Sequence, residues 1–201
     1  MKISQYNVDS SPTVSDKLIG TEVSSSNETK NYTIGSIAAL CASVFEFTPV
    51  LVATSTVTQL PSGLDNPLQV SFGAAQGTSG DAVMIDANGL ITFNQTGLYL
   101  INGYGNIERQ GSSGGVTVTL FRFLVNGVQS GSTKGVELDS TGVMFPYELT
   151  IPINITTAGT TMSFEIMRDS SGVNNGGLYT HTNLGGWSNV PSAEISIWQL
   201  Q

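Results

Sequence analysis

Charge is scarce in this chain. Charged residues make up 11% of its 201 positions, against about 25% in ordinary soluble domains. Only seven are basic, namely Lys2, Lys17, Lys30, Arg109, Arg122, Lys134 and Arg168, and they are scattered. A nucleic-acid face needs clustered Lys and Arg. A net charge of −8 therefore argues against nucleic-acid partners and against anionic membrane surfaces. Cys41 is the sole cysteine, so no disulfide can form within the chain, and a reducing cytoplasm is the expected place of synthesis. His181 is the sole histidine, and no Cys/His cluster offers a structural zinc site. No run approaches the roughly 20 apolar residues of a membrane span. The first ten residues lack the apolar core of an export signal. The N-x-S/T triplets at Asn27, Asn31, Asn94 and Asn154 are accordingly expected to be products of an Asn- and Thr-rich composition.

What is present is turn chemistry between short apolar runs. Glycine is frequent, at 23 residues. Thr and Val, which suit pleated sheets, recur along the chain. The expected strands are Phe45–Val52, Thr54–Leu60, Pro67–Phe72, Val83–Ile85, Leu90–Phe93, Leu98–Glu108, Val116–Val125, Gly135–Leu138, Tyr147–Ile155, Thr161–Arg168 and Ala193–Leu200. Between them stand Pro61-Ser-Gly, Asp86-Ala-Asn-Gly89, Asn126-Gly127, Ala158-Gly159 and Asp169-Ser-Ser-Gly172. Many short strands without a long helix predict a sandwich or barrel.

The first 35 residues differ. They are polar, with isolated apolar positions that include Ile3, Tyr6, Val8, Leu18, Ile19, Tyr32 and Ile34, and they carry neither a helical nor a strand period. Such a segment buries too little to fold alone; it is expected to act as an extended arm that drapes over another protein and inserts these residues as anchors. Residues 36–44 are Ala-rich and predict about two helical turns with Ser36 as the N-cap, a short helix or stalk. Residues 45–201 form the predicted head domain.

One stretch carries a resemblance. Gly89-Leu-Ile-Thr-Phe-Asn-Gln-Thr-Gly97-Leu-Tyr-Leu-Ile-Asn102 is a strand, a polar turn and a second strand. It resembles the hairpin of the tumour-necrosis-factor-like jelly roll, the fold shared with complement globular heads. Asn66-Pro-Leu-Gln-Val-Ser-Phe72, Phe123-Leu-Val-Asn-Gly127 and the closing Ile195-Ser-Ile-Trp-Gln-Leu200 follow in the order of that family. The long loops Arg109–Gly115 and Gly172–Asn189 depart from it. The resemblance implies an all-β, antiparallel two-sheet jelly-roll sandwich that assembles as a homotrimer and binds rather than catalyses. Separately, Asp16-Lys-Leu-Ile-Gly-Thr21 and Thr29-Lys-Asn-Tyr-Thr-Ile-Gly35 resemble openings that recur in tailed-bacteriophage virion proteins, where this stretch tends to attach a fibre or decoration to the particle.

Alternation on the strand after Gly97 places Tyr99 and Ile101 on one face, and Leu98, Leu100, Asn102 and Tyr104 on the other. Both faces carry large apolar groups, whereas a free sandwich keeps one face wet. By the resemblance, Leu98, Leu100 and Tyr104 approach a threefold axis and Ile195 and Ile197 enter the core; Trp198 either joins the axis or is a plain core residue. Arg122 and Arg168 either pair with Glu148 or Glu165 at an interface or point to solvent.

Little in the chain suggests chemistry. There is no Gly-x-Ser-x-Gly elbow and no phosphate loop. Asp81, Asp86, Asp139 and Asp169 lie near turns, where capping is expected before calcium binding. No metal or cofactor is expected. Arg109, Ser112, Asn174, Asn175, Tyr179, His181 and Trp187 stand in the long loops as candidate contacts to a host surface protein or glycan. The resulting expectation is a non-enzymatic virion protein, made in the host cytoplasm: a trimeric head fibre or capsid decoration anchored by its arm, or alternatively a tail-fibre tip that binds the host.

Overall fold

The computed structural model describes residues 13–22, 28–44, 49–76, 81–111, 114–139, 143–182 and 185–200. Side chains at 20–22, 28 and 42–44 are likewise outside the description. The chain divides into two compact units, residues 1–46 and 47–201.

The first unit is more ordered than its aperiodic sequence implies. Strands β1 (Lys17–Glu22) and β2 (Glu28–Thr33) pair antiparallel, with Leu18 opposite Tyr32. Pairing lets a polar segment satisfy its backbone without a core. Helix α1 (Ile34–Val44) follows at once. Its cap is Thr33 rather than Ser36. The Thr33 hydroxyl accepts from the Ser36 amide at 3.0 Å, and the Ser36 hydroxyl donates back to the Thr33 carbonyl at 2.8 Å. Ser36 thus occupies the third helical position and returns a bond to the cap residue. Leu18 and Ile19 are exposed, while Tyr32 and Ile34 are half-buried. Ile3, Tyr6 and Val8 lie outside the described residues.

The second unit holds β3 (Pro49–Ser55), β4 (Leu68–Gln69), β5 (Val83–Ile85), β6 (Ile91–Phe93), β7 (Gly97–Arg109), β8 (Thr117–Val125), β9 (Val128–Leu138), β10 (Met144–Ile155), β11 (Thr160–Arg168), β12 (Gly176–Leu178) and β13 (Ala193–Gln199). One sheet runs β10-β7-β13-β3, with β12 also on β7. The other runs β5-β6-β11-β8-β9, with β4 also on β11. Every pairing between named strands is antiparallel. The first and last strands of this unit, β3 and β13, are neighbours, and the chain crosses between sheets at β3–β4, β6–β7, β7–β8, β9–β10, β10–β11 and β11–β12. That is the connectivity of a jelly-roll sandwich.

Alternation builds the core. Tyr99, Ile101, Ile195, Ile197, Leu51 and Ala53 of the first sheet are fully buried, as are Phe93 and Ile91 of the second. Phe93 meets Tyr99 edge-on at 4.9 Å, and Phe72 meets Phe164 at 5.6 Å. Each such aromatic contributes about 1.5–3 kcal/mol through burial. Strands β8 and β9 join through the two-residue turn Asn126-Gly127, both at positive φ (49° and 76°), the geometry that matches sheet twist. β10 is the outer strand of its sheet and carries Pro146 and Pro152.

Three strand expectations need correction, the first being Pro67–Phe72, of which only Leu68–Gln69 is strand. Residues 56–60 are not a continuous strand. Gln59 is buried among Ser55, Ser71 and Ser192, with its amide nitrogen 2.8 Å from the Ser71 carbonyl. Its backbone exchanges hydrogen bonds with Leu178. β9 begins at Val128, not at Gly135, because the two-residue turn feeds straight into a ladder.

Candidate functional site

The outer face of the β10-β7-β13-β3 sheet is set by register. Leu100 lies across from Trp198 on one side and Pro152 on the other. Asn102 lies between Ser196 and Thr150, and Tyr104 between Glu194 and Glu148. Leu98 is 41% exposed, and Leu100, Tyr104 and Trp198 are half-exposed. Ile195 and Ile197 point into the core, whereas Trp198 is on the outer face; it is therefore no core tryptophan within the chain. A hollow of about 460 Å³ runs beside Trp198 and Tyr104. Burial, and then the charges of Glu148 and Glu194, push the Tyr104 phenol up from its ordinary value. The face is thus an apolar band, Leu98-Leu100-Trp198, bordered by an acidic row around a neutral phenol.

The loop candidates divide sharply. Trp187 is 84% exposed, and Asn174 is exposed. Arg109 and Tyr179, expected as surface contacts, are buried instead. β12 explains this. Gly176 and Gly177 lie flat against β7, and a side chain at Gly176 would overlap Thr117 at 2.3 Å. The Gly176–Tyr179 part of the loop is therefore clamped onto the end of the sandwich rather than free. Arg109 donates through Nη1 to the Asp139 carbonyl at 2.9 Å and to the Gly115 carbonyl. Arg168, expected to face solvent or an interface, is also buried. It donates to the Gly176 carbonyl and, at 2.7 Å, to the Asn174 side-chain oxygen. Burial pulls its guanidinium value down from the usual range. Asn175 accepts from the Thr117 hydroxyl. His181 sits 2.6 Å from Glu108, a buried carboxylate. Arg122 pairs with Glu165 of its own chain at 2.6 Å. Ser112 lies outside the described residues.

Glu108 and Gln59 are the important residues that the sequence reading passed over. Each is a polar residue inside a segment that the sequence assigns to a strand, the one signal that marks it.

Two of the loop aspartates, Asp86 and Asp169, cap turns. Asp86 accepts from the amides of Asn88 (2.9 Å) and Leu90 (2.8 Å). Asp169 accepts from the Ser171 amide at 2.8 Å and from its hydroxyl, which hold its carboxyl below the usual value. Among the described residues no three His, Cys, Asp or Glu side chains gather as a metal set. No described helix is long and apolar enough to cross a membrane.

No protein-family model matches the chain, and no curated protein matches it. A similar solved structure is the globular domain of zebrafish complement 1qA protein, at 10% identity and a TM-score of 0.41, covering 76% of this chain and 97% of that one. The jelly-roll assignment rests on the strand order itself.

Proposed function

We propose that this is a non-enzymatic structural protein of a tailed-bacteriophage particle, a homotrimeric head fibre or capsid decoration. The observation that carries the reading is the outer sheet face. Leu98, Leu100 and Trp198 form an apolar band on a surface that an isolated sandwich would keep polar. Three copies packed around an axis remove that band from water. The first unit is the attachment device, with Leu18 and Ile19 of its hairpin exposed as anchors, and its phrases resemble virion openings. The protein partner of that unit is a capsid or other particle component. The mechanism is binding alone, strengthened threefold by assembly.

The exposed Trp187 favours a second reading, a receptor-binding tip in which this indole meets a host glycan or protein. Immunogold labelling of purified particles with antibody to residues 45–201 separates the two. Label over the heads supports the decoration, and label at the tail tip supports receptor binding. Absence of label from intact, infectious particles ends both.

A further inference from the structure

A cavity of about 300 Å³ lies between the two sheets of the second unit. Its origin is in the sequence of the first sheet. Most inward positions there are large: Tyr99, Ile101, Ile195 and Ile197. Midway along β7, however, the inward residues are Gly103 and Gly105, and Gly105 lies directly opposite Ala193. These positions give that wall no large side chains of its own, and only Leu149 and Leu178 lean over Gly103 and Gly105. The facing wall keeps its bulk in Phe72, Phe121, Phe123 and Phe164. Closure is prevented because the sheets are already held apart. Phe121 of β8 stacks on Tyr147 of β10 at 4.6 Å, with the rings 11° from parallel.

The mouth opens at β9. Its register against β8 slips between Phe121 and Phe123, so residues 131–133 bulge opposite a single residue. Gly131 sits in the bulge at φ 73°, beside the Phe123 ring. Two cations reach the lining: Arg122, already paired with Glu165, and Lys134 of β9, opposite Phe121 and exposed at the rim. The interior therefore offers rings and aliphatic carbon, with charge confined to the Arg122–Glu165 pair and to Lys134 at the rim.

We propose that this cavity is a binding site for a small, neutral, ring-containing hydrocarbon-rich molecule. A dry cavity of about 150 Å³ lined by aliphatic and aromatic groups holds one benzene; this one is about twice that size and matches two rings. Aromatic walls favour edge and face contacts with such rings. A charged or strongly hydrated ligand would lose its water without compensation. The proposal does not rest on a virion role, although Tyr104 and Thr150 border both this cavity and the outer-face hollow.

The test uses the full chain and the neutral two-ring probe 6-propionyl-2-(dimethylamino)naphthalene. Saturable fluorescence enhancement is expected at one probe per chain, reversed by naphthalene, with a rise in Tm. Ala193→Leu should fill the void, hold or raise Tm, and weaken probe binding at least tenfold. Should that variant fail to fold, xenon-pressurised crystals of the unaltered protein provide the readout, with density expected between Gly105 and Phe123. The proposal is overturned by any of three results: no saturable binding, unchanged affinity in folded Ala193→Leu, or binding that occurs only when the assembly is dissociated, which would mean that a second copy covers the mouth.

Discussion

His181 Nε2 stands 2.6 Å from Glu108 Oε2, and the carboxylate is almost fully buried while the imidazole is 29% exposed. This contact ties the segment after β12 to the end of β7. Removing the imidazole strands a buried carboxylate, which costs about 1–3 kcal/mol. His181→Ala should therefore lower Tm by roughly 2–4 °C per kcal/mol lost, and His181→Gln should recover part of it. If thermal unfolding of His181→Ala matches the parent, the contact contributes nothing to stability.

Leu100 faces Trp198 across the ladder on the outer side of the sheet. Leu100→Asp should leave the inner core untouched while placing a charge in the proposed interface. Light scattering should give about 63 kDa for the parent, three chains of 21.1 kDa, and 21.1 kDa for a still-folded variant. A parent mass of one chain would remove the trimer, and an unchanged variant mass would remove this face from it.

The phenols of Tyr99, Tyr104, Tyr147 and Tyr179 are all pushed up from the ordinary value of 10.0, chiefly by burial. The fold thus favours their neutral forms. That contribution is intact below pH 10.0 and is lost as the pH climbs through the raised folded values. Stability should fall on the alkaline side of that point. Burial is the first cause at Tyr104, and Glu148 and Glu194 add to it. Replacing both glutamates by glutamine should lower the pH at which the Tyr104 phenolate appears in an absorbance titration, without returning it fully. An unmoved titration would show that the carboxylates are screened.

Two glycines with positive φ should respond very differently to alanine. At Gly127 (φ 76°) a methyl group would meet nothing within 4 Å, so the cost is backbone strain alone, about 1 kcal/mol. At Gly89 (φ 86°) the same methyl would lie 2.0 Å from the Val70 carbonyl oxygen. Strain and overlap together should cost about 3 kcal/mol or more. Denaturant midpoints for the two variants provide the comparison, and equal losses would contradict the close approach at Gly89.

The strands were legible because their signal is local. Val83–Ile85 matches the observed strand throughout, and Tyr99, Ile101, Ile195 and Ile197 face inward as alternation requires. The outer band of Leu98, Leu100 and Trp198 follows from the same parity. What escaped was decided by distant partners. Arg109 and Arg168 look like surface cations in sequence. They are buried because backbone carbonyls of Gly115, Asp139 and Gly176 converge on them. β12 is two glycines and a leucine, too short and too small to carry a period, and it is a strand only because β7 runs beside it. The hairpin β1–β2 has no apolar alternation to announce it. The void between the sheets is equally silent, since Gly103, Gly105 and Ala193 become one wall only once register aligns them.

The prolines of β10 bear on how many copies can be crowded together safely. Pro146 and Pro152 fall on the same parity, paired with Asn106 and Leu100. Lacking N–H groups, they occupy the pairs that exchange no ladder bonds with β7, so the donors they omit are those that would face outward. A neighbouring molecule seeking to extend this sheet finds gaps in the hydrogen-bonding template at two points along the strand. Edge-to-edge polymerisation is thereby discouraged. A protein displayed at high local density can then associate through side chains on its broad face without seeding fibrils along its rim.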